Sequence, residues 1–174
     1  MKIKVLFLLL AGLFFYNIGV NAQSMLAAGT QITMFDDKIK GIEEIVVGDK
    51  ILAYNLQDKV YEEVKVKNIN KVMVNRLVRI TLDNGIQLDM TADQPLYGEK
   101  GWVSVYPELT AQNPKYEKVS RCEIGEFILL YNIKSTDYVE VTVIQGILEP
   151  VDTYALELES DGVYVANGFL VGQN

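Results

Sequence analysis

An all-β domain assembled from one strand-rich unit used twice is the fold class this sequence predicts, and three observations carry the prediction. Almost every segment beyond residue 30 alternates apolar and polar residues on a period of two and is rich in Val, Ile, Leu and Tyr, the pattern of half-buried strands. No segment sustains a 3.6-residue period, so no long helix is written into the chain. Most telling, residues 45–55 (IVVGDKILAYN) return 77 positions later (125 minus 48, glycine to glycine) as residues 122–132 (CEIGEFILLYN). Gly48/Gly125, Ile51/Ile128, Leu52/Leu129, Tyr54/Tyr131 and Asn55/Asn132 are identical at that offset. The offset also pairs Glu63-Val64 with Glu140-Val141, Val66 with Val143, Val74 with Val151 and Asn84-Gly85 with Asp161-Gly162. Self-similarity on this scale decides an architecture before any single residue does. It predicts two pseudo-symmetric β subdomains, with a site where they meet.

The elements follow in order. Residues 1–22 carry Lys2 and Lys4, then the apolar run VLFLLLAGLFFYNIGV, then Val20-Asn21-Ala22 at the place a signal peptidase reads. Asn17 and Gly19 break the run, which falls short of the roughly 18–20 clean apolar residues of a spanning helix. A signal peptide is expected over 1–22, with residues 23–174 as a single secreted, periplasmic or cell-surface domain and no stable membrane insertion after cleavage. The first copy is placed at about 31–103, with strands at Gln31–Met34, Val64–Val66, Leu77–Leu82 and Ile86–Met90. Residues 104–119 (SVYPELTAQNPKYEKV) are the least patterned, hold two of the four prolines and are read as a linker. The second copy, about 120–171, has strands at Val139–Val143 and Tyr154–Leu158. Asn84-Gly85 and Asp161-Gly162 are read as hairpin dipeptides, whose central residues take positive φ.

Composition excludes several functions. The formal net charge is −7, becoming −9 without the leader (14 basic, after removing two lysines from 16, against 23 acidic). Such a surface repels phosphate backbones and anionic lipid, and no Lys/Arg cluster offsets it, so no nucleic-acid partner is expected. One cysteine forms no internal disulfide, so stability rests on the apolar core. Asp36, Asp37, Asp89 and Asp93 form no tight acidic loop of the kind calcium requires, so neither metal nor cofactor is expected.

The opening of the domain resembles the Hint (Hedgehog/intein) family. Met25–Thr30 (MLAAGT), the strand QITM and Gly41–Asp49 (GIEEIVVGD) match its first motif, in which a cysteine opens a small-residue stretch ending in Gly-Thr. Thr91-Ala-Asp-Gln94-Pro95, followed by Gly101-Trp102-Val103, is similar to its second motif, in which Thr leads His-Pro by three positions. Val165–Val171 (VANGFLV) resembles the last strand, which normally runs into His-Asn. The resemblance covers residues 25–174 and implies two pseudo-symmetric β subdomains and self-cleaving, protein-splicing-type chemistry.

This sequence departs from that chemistry at each matching position. The family's cysteine attacks the preceding carbonyl as a thiolate; here stands Met25, a thioether with no proton to lose. The family's histidine protonates the scissile amide; here stands Gln94, and the chain contains no histidine. Gly172-Gln173-Asn174 replaces the terminal pair, and Asn174 has no downstream peptide bond in this sequence. The degenerate site is therefore Met25, Thr91, Gln94 and Asn174, with Ser24 the one hydroxyl able to rescue an acyl shift. The expected role is a β scaffold or protein-interaction module without autoprocessing. Slow processing through Ser24, or origin as a piece of a longer autoprocessing precursor, stands as the alternative. Cys122 is expected to be a small buried hydrophobe because its repeat partner is Ile45. Thr91 is expected to bond backbone and Asp93 to cap the turn before Pro95. Tyr106 and Tyr116 in the linker are expected to be exposed and to mark a surface for an unidentified protein partner.

Overall fold

The computed structural model describes residues 23–133 and 135–173; the expected signal peptide and Asn174 lie outside them. The first half runs through β1 (Leu26–Ala27), β2 (Gln31–Thr33), β3 (Ile39–Gly41), β4 (Lys50–Asn55), β5 (Val60–Val74), β6 (Leu77–Leu82), β7 (Gln87–Met90), β8 (Leu96–Gly98) and β9 (Gly101–Ser104). A short helix α1 (Pro107–Thr110) and a 3-10 turn (Pro114–Tyr116) fill the linker. Then follow β10 (Ser120–Arg121), β11 (Phe127–Asn132), β12 (Ser135–Ile147), β13 (Val151–Leu158), β14 (Val163–Ala166) and β15 (Phe169–Val171). The fold is all-β, as the alternation predicts, and proline at the first position of both linker turns fits residues 107 and 114 to start them.

The two long strands organise the molecule. β5 begins antiparallel to β4 and ends antiparallel to β13, whereas β12 begins against β11 and ends against β6. Each half thus lends its long strand to the other, and each crossover pairing carries one register irregularity, between Glu157 and Leu158 and between Val141 and Val143. Bulges of this kind bend a strand so that it can serve two pairings.

The register corrects the uniform 77-residue offset. Val66 faces Leu158 and Val141 faces Leu82, so Val66 corresponds to Val141 (141 minus 66 is 75) and Leu82 to Leu158 (158 minus 82 is 76). The cause is turn length: Asn55 faces Val60, but Asn132 faces Ser135, two residues tighter. Val66/Val143 and Val74/Val151 are therefore sequence coincidences within β-rich text, not equivalent positions.

The Asn-Gly and Asp-Gly turns divide, and neither of the two read as hairpin dipeptides has both central residues at positive φ. Asn167 (φ 49°) and Gly168 (φ 85°) both take positive φ, the two-residue turn that Asn-Gly favours. In the β6–β7 turn only Gly85 does (φ 82°), its N–H donating to Leu82 O at 2.8 Å. At Asp161-Gly162 neither does; the Gly162 N–H instead donates to Ser160 Oγ at 3.3 Å.

Alternation feeds two apolar clusters. Ile51, Ala53, Ile128, Leu130, Tyr164 and Phe169 point into the main core with Leu26, Ile80, Leu88 and Leu156. Leu52, Leu129, Val163, Val165 and Leu170 point to the opposite face, under Tyr54, Tyr61, Tyr97, Trp102 and Tyr131. Ile45 and Cys122 are both buried in the main core, which gives the lone thiol the structural role expected of it.

Candidate functional site

β1 is two residues long, yet it joins the halves: Leu26 faces Tyr154 of β13 on one side and Met90 of β7 on the other. Met25 stands at its start and is buried. The Met25 N–H donates to Thr91 Oγ1 at 3.0 Å, and the Thr91 N–H donates to Met25 O at 2.9 Å. Thr91 thus bonds backbone as expected, holding Met25 by the N–H of its preceding peptide and the carbonyl of its following one. The thioether is equally confined, with Thr153 Oγ1 3.2 Å from Met25 Sδ while that hydroxyl donates to Val72 O at 2.7 Å.

Gln94 follows the Thr91 turn, its N–H donating to Thr91 O at 3.1 Å. Its buried side chain crosses to the last strand, Nε2 donating to Gly172 O at 2.8 Å and to Pro95 O at 3.2 Å. The reach that would place an imidazole at a scissile bond here ties β8 to the end of β15, because an amide can bond two carbonyls but cannot shuttle a proton. The ordering of the turn rests on the Asp93 carbonyl, which accepts from Ser24 Oγ at 3.2 Å and lies 2.8 Å from Thr110 Oγ1. Ser24 is buried with its hydroxyl directed to the Asp93 backbone.

Gln173 satisfies three backbone groups: Oε1 accepts from Leu158 N at 2.7 Å, and Nε2 donates to Ser160 O and to Gly162 O at 2.9 Å. Above it sits Tyr116, whose hydroxyl donates to Gln173 O at 2.6 Å and whose ring meets Trp102 edge-on, 4.9 Å between centroids. Tyr116 is only 2% exposed, which corrects the expectation of an exposed linker tyrosine; Tyr106 is 48% exposed. The hydroxyl needs an acceptor and the ring an apolar seat, and the end of β15 supplies both. The seat depends on Gly172, because a Cβ there would overlap the Tyr116 hydroxyl and lie 2.9 Å from Pro95 Cγ. Burial pushes the Tyr116 and Tyr164 hydroxyls far above the ordinary phenolic range. Burial likewise pushes the Cys122 thiol up to about 12, with Glu126 and Glu123 adding to the shift.

The structure therefore brings Met25, Thr91, Gln94 and Ser24 together at the junction of the halves. It adds Thr153, Thr110, Gln173 and Gly172, none of which sequence reasoning gave a working role, and Tyr116, which was expected at the surface instead. Thr153 had no signal at all, since a threonine in a strand is ordinary. Gln173 carried one, standing where the family's terminal histidine is expected. Two of the four acidic residues considered for calcium are engaged elsewhere: Asp89 holds Arg79 through two bonds of 2.6 Å, and Asp36 holds Lys38 at 2.6 Å. Among the described residues no three His, Cys, Asp or Glu side chains gather at metal-binding spacing.

No family model and no curated protein sequence matches this chain. Solved structures do match it. The DnaB intein from Synechocystis superposes with a TM-score of 0.70 at 16% identity, covering 87% of this chain and 99% of its own. The bacterial intein-like domain from Clostridium thermocellum gives 0.67 at 21% identity, covering 86% and 98%. The TvoVMA intein gives 0.66 at 19%, covering 86% and 96%. The chain has the all-β Hint-type fold of inteins and intein-like domains.

Proposed function

We propose that this protein is a secreted Hint-fold domain without autoprocessing activity, acting as a rigid β scaffold that presents its surface to a protein partner. The observation that carries this reading is the hydrogen bonding of the site. Met25 and Thr91 bond each other, Gln94 bonds the carbonyls of Pro95 and Gly172, and Gln173 bonds the backbone of Leu158, Ser160 and Gly162. None of the four carries a thiol or titrates near neutrality. The network joins β1, β7, β8, β13 and β15 where a reacting amide would need room to distort, so the same residues that resemble a processing centre act as a clamp. The secreted location rests on the leader-like residues 1–22.

Ser24 favours one second reading, slow N-to-O acyl transfer, because its hydroxyl lies one position before Met25. Against it, the hydroxyl is directed to the Asp93 carbonyl and the site holds no imidazole to take its proton. Intact-mass spectrometry in hydroxylamine separates the two, using the wild type beside Ser24→Ala. Unchanged masses in both support the scaffold reading. Scission in the wild type that Ser24→Ala abolishes replaces it with slow processing.

A further inference from the structure

We infer that Asn84 is a site of spontaneous deamidation built into the β6–β7 turn, whereas the chemically identical Asn167-Gly168 is protected by the fold. In this reaction the Gly85 backbone nitrogen gives up its proton to water or hydroxide and attacks Asn84 Cγ. The new N–C bond closes a succinimide, the Cγ–Nδ2 bond breaks and ammonia leaves. Water then opens the ring to aspartate or isoaspartate. The reaction needs an Asn side chain able to lie over its own following peptide, a successor without a Cβ, and access for water.

Asn84 meets all three conditions. Asn84 and Gly85 are exposed, and beyond the adjoining residues nothing lies within 4 Å of where a Cβ on Gly85 would stand. Asn84 Oδ1 accepts from the Ile86 N–H at 3.1 Å, which curls the side chain over the Gly85 peptide. The bond that engages the attacking nitrogen, Gly85 N to Leu82 O at 2.8 Å, lies in an exposed turn, where local opening is cheap.

Asn167 fails the first condition although its sequence context is the same. Its Oδ1 accepts from Gln31 N at 2.7 Å and its Nδ2 donates to Gln87 O at 2.8 Å, so both ends of the amide are held by distant strands. Gly168 is also crowded, with Leu130 Cδ1 and Tyr131 O each 3.2 Å from where a Cβ would stand.

The change has a local consequence. Asn84 lines a cleft of about 400 Å³ whose wall includes Asp37, Asp137, Ile39 and Tyr131. Deamidation adds a carboxylate to that wall, so the cleft becomes more acidic as the molecule ages, and isoaspartate lengthens the turn backbone by one methylene.

The test is incubation of the native protein at mildly alkaline pH, followed by tryptic mapping. Cleavage after Arg79, Lys100 and Lys134 places the two sites on separate peptides, 80–100 and 135–174. The amide-to-acid mass gain, with an aspartate/isoaspartate mixture, is expected on peptide 80–100. At Asn167 it is expected roughly thirty-fold more slowly, the factor for two hydrogen bonds that must open first. In denaturant the two rates are expected to converge, and Asn84→Gln is expected to abolish the gain on 80–100. Equal native rates, faster change at Asn167, or a native Asn84 that stays intact while the denatured one reacts would each overturn the inference.

Discussion

Replacing Gly172 with alanine forces a methyl group into the seat of Tyr116. The φ of Gly172 is not in the left-handed region, so backbone strain plays no part and the cost is packing alone. The added Cβ overlaps the Tyr116 hydroxyl and stands 2.9 Å from both Tyr116 Cζ and Pro95 Cγ, and neither ring can yield without leaving its neighbours. Overpacking of this kind costs about 1–3 kcal/mol. Displacing Tyr116 also loses its bond to Gln173 O, about 1 kcal/mol, and part of its edge contact with Trp102, so Gly172→Ala is expected to lose about 2–4 kcal/mol. Tyr116→Phe alone loses the bond, about 1 kcal/mol, but it removes the atom nearest the new methyl. The double variant is therefore expected to be about 1–2 kcal/mol more stable than the sum of the singles, since residues in contact couple. Urea unfolding of the four proteins at fixed m-value measures this. Additivity within about 0.5 kcal/mol would refute the reasoning that Tyr116 closes over Gly172.

Three further outcomes follow from the same geometry. Gln173→Ala removes three backbone bonds at the junction and is expected to lose about 2–3 kcal/mol, read by urea midpoint. Tyr61→Phe should raise stability by about 1 kcal/mol, because the Tyr61 hydroxyl is buried between Tyr54 and Tyr131 with no hydrogen-bond partner among the described residues; a thermal scan checks it. Cys122 should resist a thiol reagent in the native protein at pH 8 and react on unfolding. Its folded pKa of about 12 lies above the ordinary thiol value of 9.0, so its contribution to stability is complete below pH 9 and is lost as pH rises from 9 to 12.

The all-β class was legible because alternation and the near-identity of residues 50–55 and 127–132 are local facts of the text. The mispaired equivalents in β5 and β12 arose because turn length, not strand sequence, sets register: Asn55 to Val60 spans more residues than Asn132 to Ser135. Within the site, Met25, Thr91 and Gln94 were readable as positions in a motif, but what they bond was not. Thr153 and Gly172 act through contacts 128 residues away from Met25 and 56 residues away from Tyr116 (153 minus 25, 172 minus 116), and no local pattern announces such contacts. Tyr116 was misread because a polar, proline-bearing linker looks solvent-facing until the end of β15 supplies an acceptor for its hydroxyl.

The central claim is that this domain keeps the Hint-type scaffold while its site residues lack the chemistry. Intact-mass spectrometry of Met25→Cys/Gln94→His, verified as folded by circular dichroism and incubated with dithiothreitol beside the wild type, tests it most directly. The account predicts thiol-dependent scission before residue 25 in the double variant and an unchanged mass in the wild type. A wild type that cleaves as readily, or a folded double variant that stays intact, would contradict it.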